Sequence, residues 1–226
     1  MALAKELEGV VSTVKVGSQL FTAEGPQAVK TLAGLGFSIF LDLKFHDIPN
    51  TVSGAVASAA KLPGVRMLTL HVAGGPAMLR AAREAAASHN KDLLLLGVTV
   101  LTSLNATTLA QVGFNGTPLD RAVSLAQLAQ DAGLGGIVAS ALEVPAIRRA
   151  CGPKLQIVVP GVRSASSDSE DQLRVATVTQ GIQAGANYLV VGRPITESSA
   201  PRAAATEIVA EIAAAAVRNS ATAATS

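Results

Sequence analysis

Apolar and polar positions along this chain follow two alternating rhythms. Short, nearly continuous apolar runs recur at residues 13–16, 39–45, 66–72, 93–101, 136–140, 156–159 and 188–191. Runs of this length, rich in β-branched residues or leucine and set off by turn formers, predict strands buried on both faces. Segments with helical spacing lie between them, at residues 26–35, about 51–61, 76–88, 119–132, 142–150, 177–184 and 202–217. Residues 2–9 read as the end of a further helix, closed by Gly9. Strict strand–helix alternation calls for a parallel sheet covered by helices. Seven such units fit a (β/α)8 TIM barrel more naturally than an open doubly wound sheet. The count places the missing strand at the front. The expectation is one α/β TIM-barrel domain over residues 1–218, without the first β-strand and part of the first helix. The small, polar residues 219–226 are expected to form a disordered tail.

One run carries charge where the pattern is most apolar. Asp42 and Lys44 stand two apart in the 39–45 strand, so a regular strand points both to one face. Opposite charges inside an apolar strand are expensive to bury unless paired. Asp47 follows at the strand's carboxyl end, before Pro49. A structural ion pair accounts for Asp-x-Lys by itself. The second Asp, the apolar strand and the Pro-Asn-Thr helix start favour catalysis.

In a barrel, functional side chains sit at the carboxyl ends of strands and in the loops that follow. Those positions hold Lys15, then Asp42, Lys44 and Asp47, then Thr102 and Ser103, then Arg163 in Pro-Gly-Val-Arg, and Gly192-Arg193 before Pro194. Taken singly, Lys15 reads as an exposed lysine, Thr102 or Ser103 as the cap of a short helix near Asn105, and the two arginines as surface groups. However, both arginines follow apolar strands and adjoin glycines. A guanidinium beside backbone N–H groups suits a phosphate, and the loops after the last two strands are the usual phosphate site of this architecture. His46 reads as a structural or supporting histidine, His71 as a supporting group at the barrel mouth, and His89 as a helix-surface residue. Their spacing matches no metal site, so no metal is expected.

Composition narrows the function classes. A chain of 226 residues with 49% apolar and 15% charged residues suits one compact domain with many buried strands. The net charge of +2, the absence of a basic stripe, and only one Tyr, five Phe and no Trp argue against nucleic-acid binding. The single cysteine, Cys151, rules out an internal disulfide and fits a reducing cytoplasm. No apolar run approaches the roughly 18 residues of a membrane span, and Met-Ala-Leu-Ala-Lys-Glu does not read as a signal peptide.

The run Asp42-Leu-Lys-Phe-His-Asp-Ile-Pro-Asn-Thr51 resembles the orotidine 5′-phosphate decarboxylases of bacteria. The resemblance extends from about Leu3 to Ala216. It takes in Val14-Lys-Val-Gly17, Val98-Thr-Val-Leu-Thr-Ser103, Pro160-Gly-Val-Arg163, Asp171-Gln172 and Val191-Gly-Arg-Pro-Ile195. It implies cofactor-free conversion of orotidine 5′-phosphate to UMP and CO2 in pyrimidine biosynthesis. Lys15, Asp42, Lys44 and Asp47 would form an alternating charged array, with Lys44 as proton donor to C6. Asp47, Ile48 and Thr51 would reach the neighbouring subunit's site, making a homodimer with shared active sites. Thr102 would meet the pyrimidine edge beside Ser103. Arg163, Gln172, Gly192 and Arg193 would hold the phosphate, and residues 164–171 would form a mobile gripper. The family's first strand ends in an Asp that binds a ribose hydroxyl, and this sequence has neither the strand nor that Asp. Two alternatives stay open. One is a Mg2+-dependent sugar-phosphate lyase of the 3-keto-gulonate-phosphate decarboxylase type; the other is a truncated, non-catalytic nucleotide-binding protein.

Overall fold

The computed structural model of the chain describes residues 2–163 and 176–223. The first half runs α1 (Ala2–Leu7), β1 (Thr13–Gly17), α2 (Ser18–Glu24), α3 (Pro26–Gly34), β2 (Ser38–Phe45), α4 (Pro49–Ala60), β3 (Val65–His71), a 3-10 turn (Val72–Gly74), α5 (Gly75–His89) and β4 (Leu94–Val98). The second half continues with α6 (Ala106–Gln111), α7 (Pro118–Asp131), β5 (Gly136–Val138), α8 (Val144–Cys151), β6 (Gln156–Val159), β7 (Val162–Arg163), β8 (Ala176–Thr177), α9 (Val178–Gln183), β9 (Tyr188–Leu189), α10 (Arg193–Thr196) and α11 (Pro201–Ala223). In hydrogen-bonded order the main sheet is β1-β2-β3-β4-β5-β6-β9, the order of the chain itself. All seven expected strands are present. Among the described residues there is no eighth in this sheet.

The chain divides into two compact units. The unit Ser12–Thr99 with Ser124–Ile137 holds four parallel strands, β1 to β4. Ile39, Leu41, Leu68, Leu70 and Leu96 are fully buried there, which is why these strands read as continuous apolar runs and not as alternating ones. Val52 and Val56 of α4 and Met78, Leu79 and Ala82 of α5 are also buried. Pro49 sits at the first position of α4, where its missing N–H has no helical partner to lose.

The unit Met1–Val11, Val100–Val123 and Val138–Ser226 holds the parallel pairs β6–β9 and β7–β8. Arg148 of α8 donates to the carbonyls of Gly152, Leu155 and Gly185 and to Asn187, tying the helix to the loops around β6 and β9. Arg202 of α11 donates to the carbonyls of Glu6 and Glu8 at 2.7 and 3.0 Å, fastening the last helix to the first segment.

Four details depart from the hydrophobic pattern. Helix α2 buries none of its seven residues, so no apolar stripe announces it. Strand β4 ends at Val98, because the apolar run through residue 101 has already left the ladder. Strand β9 is likewise only two residues long. Helix α11 runs to Ala223, past the expected start of a frayed tail at residue 219. The segment has no Gly or Pro to stop a helix, and alanine has the highest helix propensity. No described helix is long and apolar enough to cross a membrane.

Candidate active site

Strand β2 positions the charges by breaking its own regularity. Leu41 pairs with Leu68 of β3, and the next paired residue is Phe45, opposite Leu70. Asp42, Leu43 and Lys44 therefore face Thr69 alone, which makes this a β-bulge. Lys44 takes φ 52, the one positive φ at a non-glycine residue among those described. Such a backbone costs about 1–3 kcal/mol and persists only where its surroundings hold it. Here the Lys44 N–H donates to Thr69 Oγ1 at 2.9 Å.

The bulge gathers three charges. Lys44 Nζ donates to Asp42 Oδ1 at 2.8 Å, and Thr69 Oγ1 donates to the same oxygen at 2.9 Å. Lys15 Nζ lies 3.4 Å from Asp42 Oδ2. Asp42 is 9% exposed, whereas each lysine side chain keeps 35%. Burial pushes the Asp42 carboxyl up. The hydrogen bond and charge of Lys44, the charge of Lys15 and the Thr69 hydroxyl together outweigh it, holding the group below the ordinary carboxylate value. Lys15 reaches Asp42 across Gly17, which is the register partner of Asp42. A Cβ on Gly17 would lie 3.0 Å from Lys15 Nζ, so the missing side chain gives the lysine its path.

The other members of the expected array do not join it within this chain. Asp47 is exposed in the turn after β2, and its Oδ1 accepts the Ile48 N–H at 2.6 Å. No ion pair reaches it among the described residues. Ile48 is 66% exposed, and Thr51, in the first turn of α4, is exposed too. The ring of His71, at the end of β3, lies 5.5 Å from that of His46. Burial, then the nearby His46 and Lys44, lower the His71 pKa against the opposing pull of Asp42. His89 lies on the surface of α5. Among the described residues no three His, Cys, Asp or Glu side chains converge as metal ligands would.

The remaining candidates belong to the second unit. Thr102 and Ser103 lie in the turn before α6, half-buried and exposed respectively. They do not cap that helix. Asn105 does, accepting the Thr108 N–H at 2.9 Å while its own N–H donates to Thr108 Oγ1 at 3.0 Å. Arg163 pairs through its backbone with Thr177 in β7–β8. Gly192 and Arg193 are exposed at the start of α10, and a Cβ on Gly192 would meet nothing within 4 Å. Asp171, Gln172 and the expected gripper at residues 164–171 lie outside the described residues.

Of the buried polar groups that sequence did not single out, Glu143 and Thr69 have the clearest structural roles. Glu143, 1% exposed, accepts the Ser140 N–H at 3.0 Å and braces the turn after β5. Thr69 is fully buried. Its signal was a single hydroxyl inside Arg-Met-Leu-Thr-Leu-His, two positions before a histidine at the strand end.

Comparison with known proteins gives one consistent answer. A model of the orotidine 5′-phosphate decarboxylase / HUMPS family matches residues 1–208. The orotidine 5′-phosphate decarboxylase of Nitrosococcus oceani is 49% identical over 212 residues, covering 94% of this chain and 91% of the relative. That of Halorhodospira halophila is 50% identical over 214 residues, covering 95% and 90%. Among solved structures, the orotidine 5′-phosphate decarboxylase of Lactobacillus acidophilus superposes with a TM-score of 0.77 at 36% identity, covering 88% of this chain and 86% of that one.

Proposed function

The chain belongs to the orotidine 5′-phosphate decarboxylase / HUMPS family, and on that premise we propose that it converts orotidine 5′-phosphate to UMP and CO2 with the charges gathered at the end of β2. The observation that carries this reading is the Lys15–Asp42–Lys44 array, closed to 3.4 and 2.8 Å, in a chain about half identical to enzymes of that name.

The chemistry follows from where charge develops. Breaking the bond between C6 and the carboxylate leaves an electron pair on C6, in the ring plane, where the ring cannot delocalise it. An ammonium already oriented toward C6 stabilises that charge without reorganising water. The Lys44 Nζ proton then forms the new C6–H bond, and the neutral amine regains a proton from solvent. Asp42 holds Lys44 in place, and its own negative charge lies beside the departing carboxylate. Arg163, Gln172, Gly192 and Arg193 grip the phosphate, while Thr102, with Ser103 beside it, meets the pyrimidine edge. Binding energy collected at the phosphate, away from the reacting bond, orients the ring over Lys44.

Asp47, Ile48 and Thr51 serve a second copy of the chain. Their exposure and the lack of an ion pair at Asp47 among the described residues support an exposed edge that completes a neighbour's site, and so a homodimer. The seven strands in chain order support the (β/α)8 barrel architecture. A reaction on a free nucleotide suits a cytoplasmic enzyme.

The test is the loss of orotidine 5′-phosphate absorbance in the presence of chelator. The chain should turn over without added metal. Lys44→Ala should lose about 10³-fold or more of kcat while still binding UMP. Activity lost to chelator and restored by Mg2+ overturns the reading in favour of a sugar-phosphate lyase, whereas a Lys44→Ala protein of normal turnover removes Lys44 from the mechanism.

A further inference from the structure

We propose that Thr69 is a positioning residue for the decarboxylation, its one hydroxyl fixing both the Asp42 carboxylate and the backbone bend that presents Lys44. The proposal rests on the decarboxylase reading and specifies how its charged array is held.

Thr69 is fully buried in β3, between Leu68 and Leu70, which are also fully buried. Valine has the same shape and suits a buried strand at least as well, so packing alone does not call for the hydroxyl. Oγ1 stands 2.9 Å from the Lys44 amide nitrogen and 2.9 Å from Asp42 Oδ1. An amide N–H only donates, an ionised carboxylate only accepts, and a hydroxyl has one proton. The direction is therefore fixed: Lys44 N–H to Thr69 Oγ1, and Thr69 O–H to Asp42. The bulge sets three residues of β2 opposite Thr69 alone and takes Lys44 out of the regular ladder. The Thr69 oxygen supplies the acceptor that lets Lys44 rest at φ 52.

The same hydroxyl steadies the carboxylate. Asp42 Oδ1 receives both Lys44 Nζ and Thr69 Oγ1, and Oδ2 faces Lys15. Without the hydroxyl, only two flexible lysine tips orient Asp42, and Lys44 loses the bond that sets its bend. Catalytic groups tolerate displacements of only about 0.5 Å, so loosening at this point reaches the reacting atoms.

Two substitutions in the full chain test this. Thr69→Val keeps the shape and removes the hydroxyl; Thr69→Ser keeps the hydroxyl. The Val protein should lose about tenfold to a hundredfold of kcat, with KM and UMP affinity within about threefold of the parent. The Ser protein should recover most of that loss. Carboxylate titration by NMR in the ligand-free protein gives a readout independent of turnover. The Asp42 midpoint should rise in the Val protein, the acid limb of the kcat profile should move the same way, and Ser should leave both near their original values. Should the Val protein not fold, Thr69→Cys replaces it, matching Ser in shape with a much weaker donor. Parental kcat and Asp42 titration in the Val or Cys protein overturn the proposal, as does a folded Ser protein no faster than either. Absence of turnover in the parent chain itself overturns the decarboxylase reading instead.

Discussion

In the proposed reaction the carboxyl end of β2 and the loop after β9 would both offer cations to a phosphorylated substrate, and the two regions differ in burial. At β2, Lys44 and Lys15 already hold a nearly buried carboxylate, and a buried hydroxyl braces the backbone between them. After β9, Arg193 is exposed at the start of a four-residue helix beside an exposed glycine. Electrostatic catalysis works only where dipoles and charges are oriented before the reaction, so the first region accepts bulge strain and burial. In the proposed reaction the phosphate grip contributes only when ligand arrives, so an exposed arginine can serve there. On the proposed reading, the bulge, the positive φ of Lys44 and the burial of Asp42 place preorganisation at the reacting end, at a cost in folding stability there.

The sharpest way to break this comparison is to remove one charge from each region. Asp42→Asn should cost turnover about 10²-fold or more, and about 1–3 kcal/mol of stability, since it leaves two ammonium groups without their shared carboxylate. For a chain of this size that is a fall in Tm of roughly 2–4 °C per kcal/mol. Arg193→Ala, at an exposed side chain, should cost less stability than Asp42→Asn while lowering kcat/KM about tenfold to a hundredfold, chiefly through KM. Thermal melts and steady-state kinetics on both proteins decide it. An Arg193→Ala protein as destabilised as Asp42→Asn would mean that the phosphate end is also prestressed.

The two regions also differed in how far sequence could reach them. All seven strands were legible because burial on both faces leaves an unbroken apolar run, and the Asp42–Lys44 pair because charge inside such a run needs a partner. The reason for their meeting was not legible. Regular alternation predicts that residues 42 and 44 share a face, yet they meet through a bulge with Lys44 at positive φ. That geometry depends on Thr69, 25 residues further on, and no local pattern encodes such a pairing. Asp47, three positions after Lys44 and beyond the end of β2, lies exposed in the turn that Pro49 closes by starting α4. At the proposed phosphate end, glycine and arginine mark a place by composition alone, and nothing in their spacing specifies an approach distance.

Gly17 tests how closely the β2 end is fitted. A Cβ there would stand 3.0 Å from Lys15 Nζ, closer than side chains normally approach. The obstacle is the tip of a flexible chain, so Gly17→Ala should fold normally and shift the lysine away from Asp42. The expected result is a several-fold drop in kcat, roughly 1 kcal/mol of barrier, with UMP affinity nearly unchanged. A crystal structure of the variant should show the Lys15–Asp42 distance lengthened beyond its present 3.4 Å. Unchanged kcat with a lengthened distance would remove Lys15 from the preorganised set and leave Lys44 and Asp42 as its members.

The smallest effect concerns acid. His71 borders the array, and burial, then His46 and Lys44, hold its pKa below the ordinary 6.5, with Asp42 pulling the other way. The unfolded chain takes up this proton near pH 6.5, whereas the folded chain resists until the pH is lower. In that window the unfolded state binds more protons, so stability falls as pH drops below about 6.5 and is fully present above it. Asp42, also lowered, adds its own loss only further down, below the ordinary carboxylate range. Urea midpoints at pH 7.5 and 5.5 separate the two contributions. The parent chain should lose stability across that interval, and His71→Asn should lose less. The difference should stay under about 1 kcal/mol, because a half-buried ring is screened by solvent. Arg193→Ala should keep the parental slope, since Arg193 is not among the groups that shift the His71 proton. If His71→Asn keeps that slope as well, the proton resisted in this interval is not the one on His71, and the acid response of the β2 end begins only with Asp42.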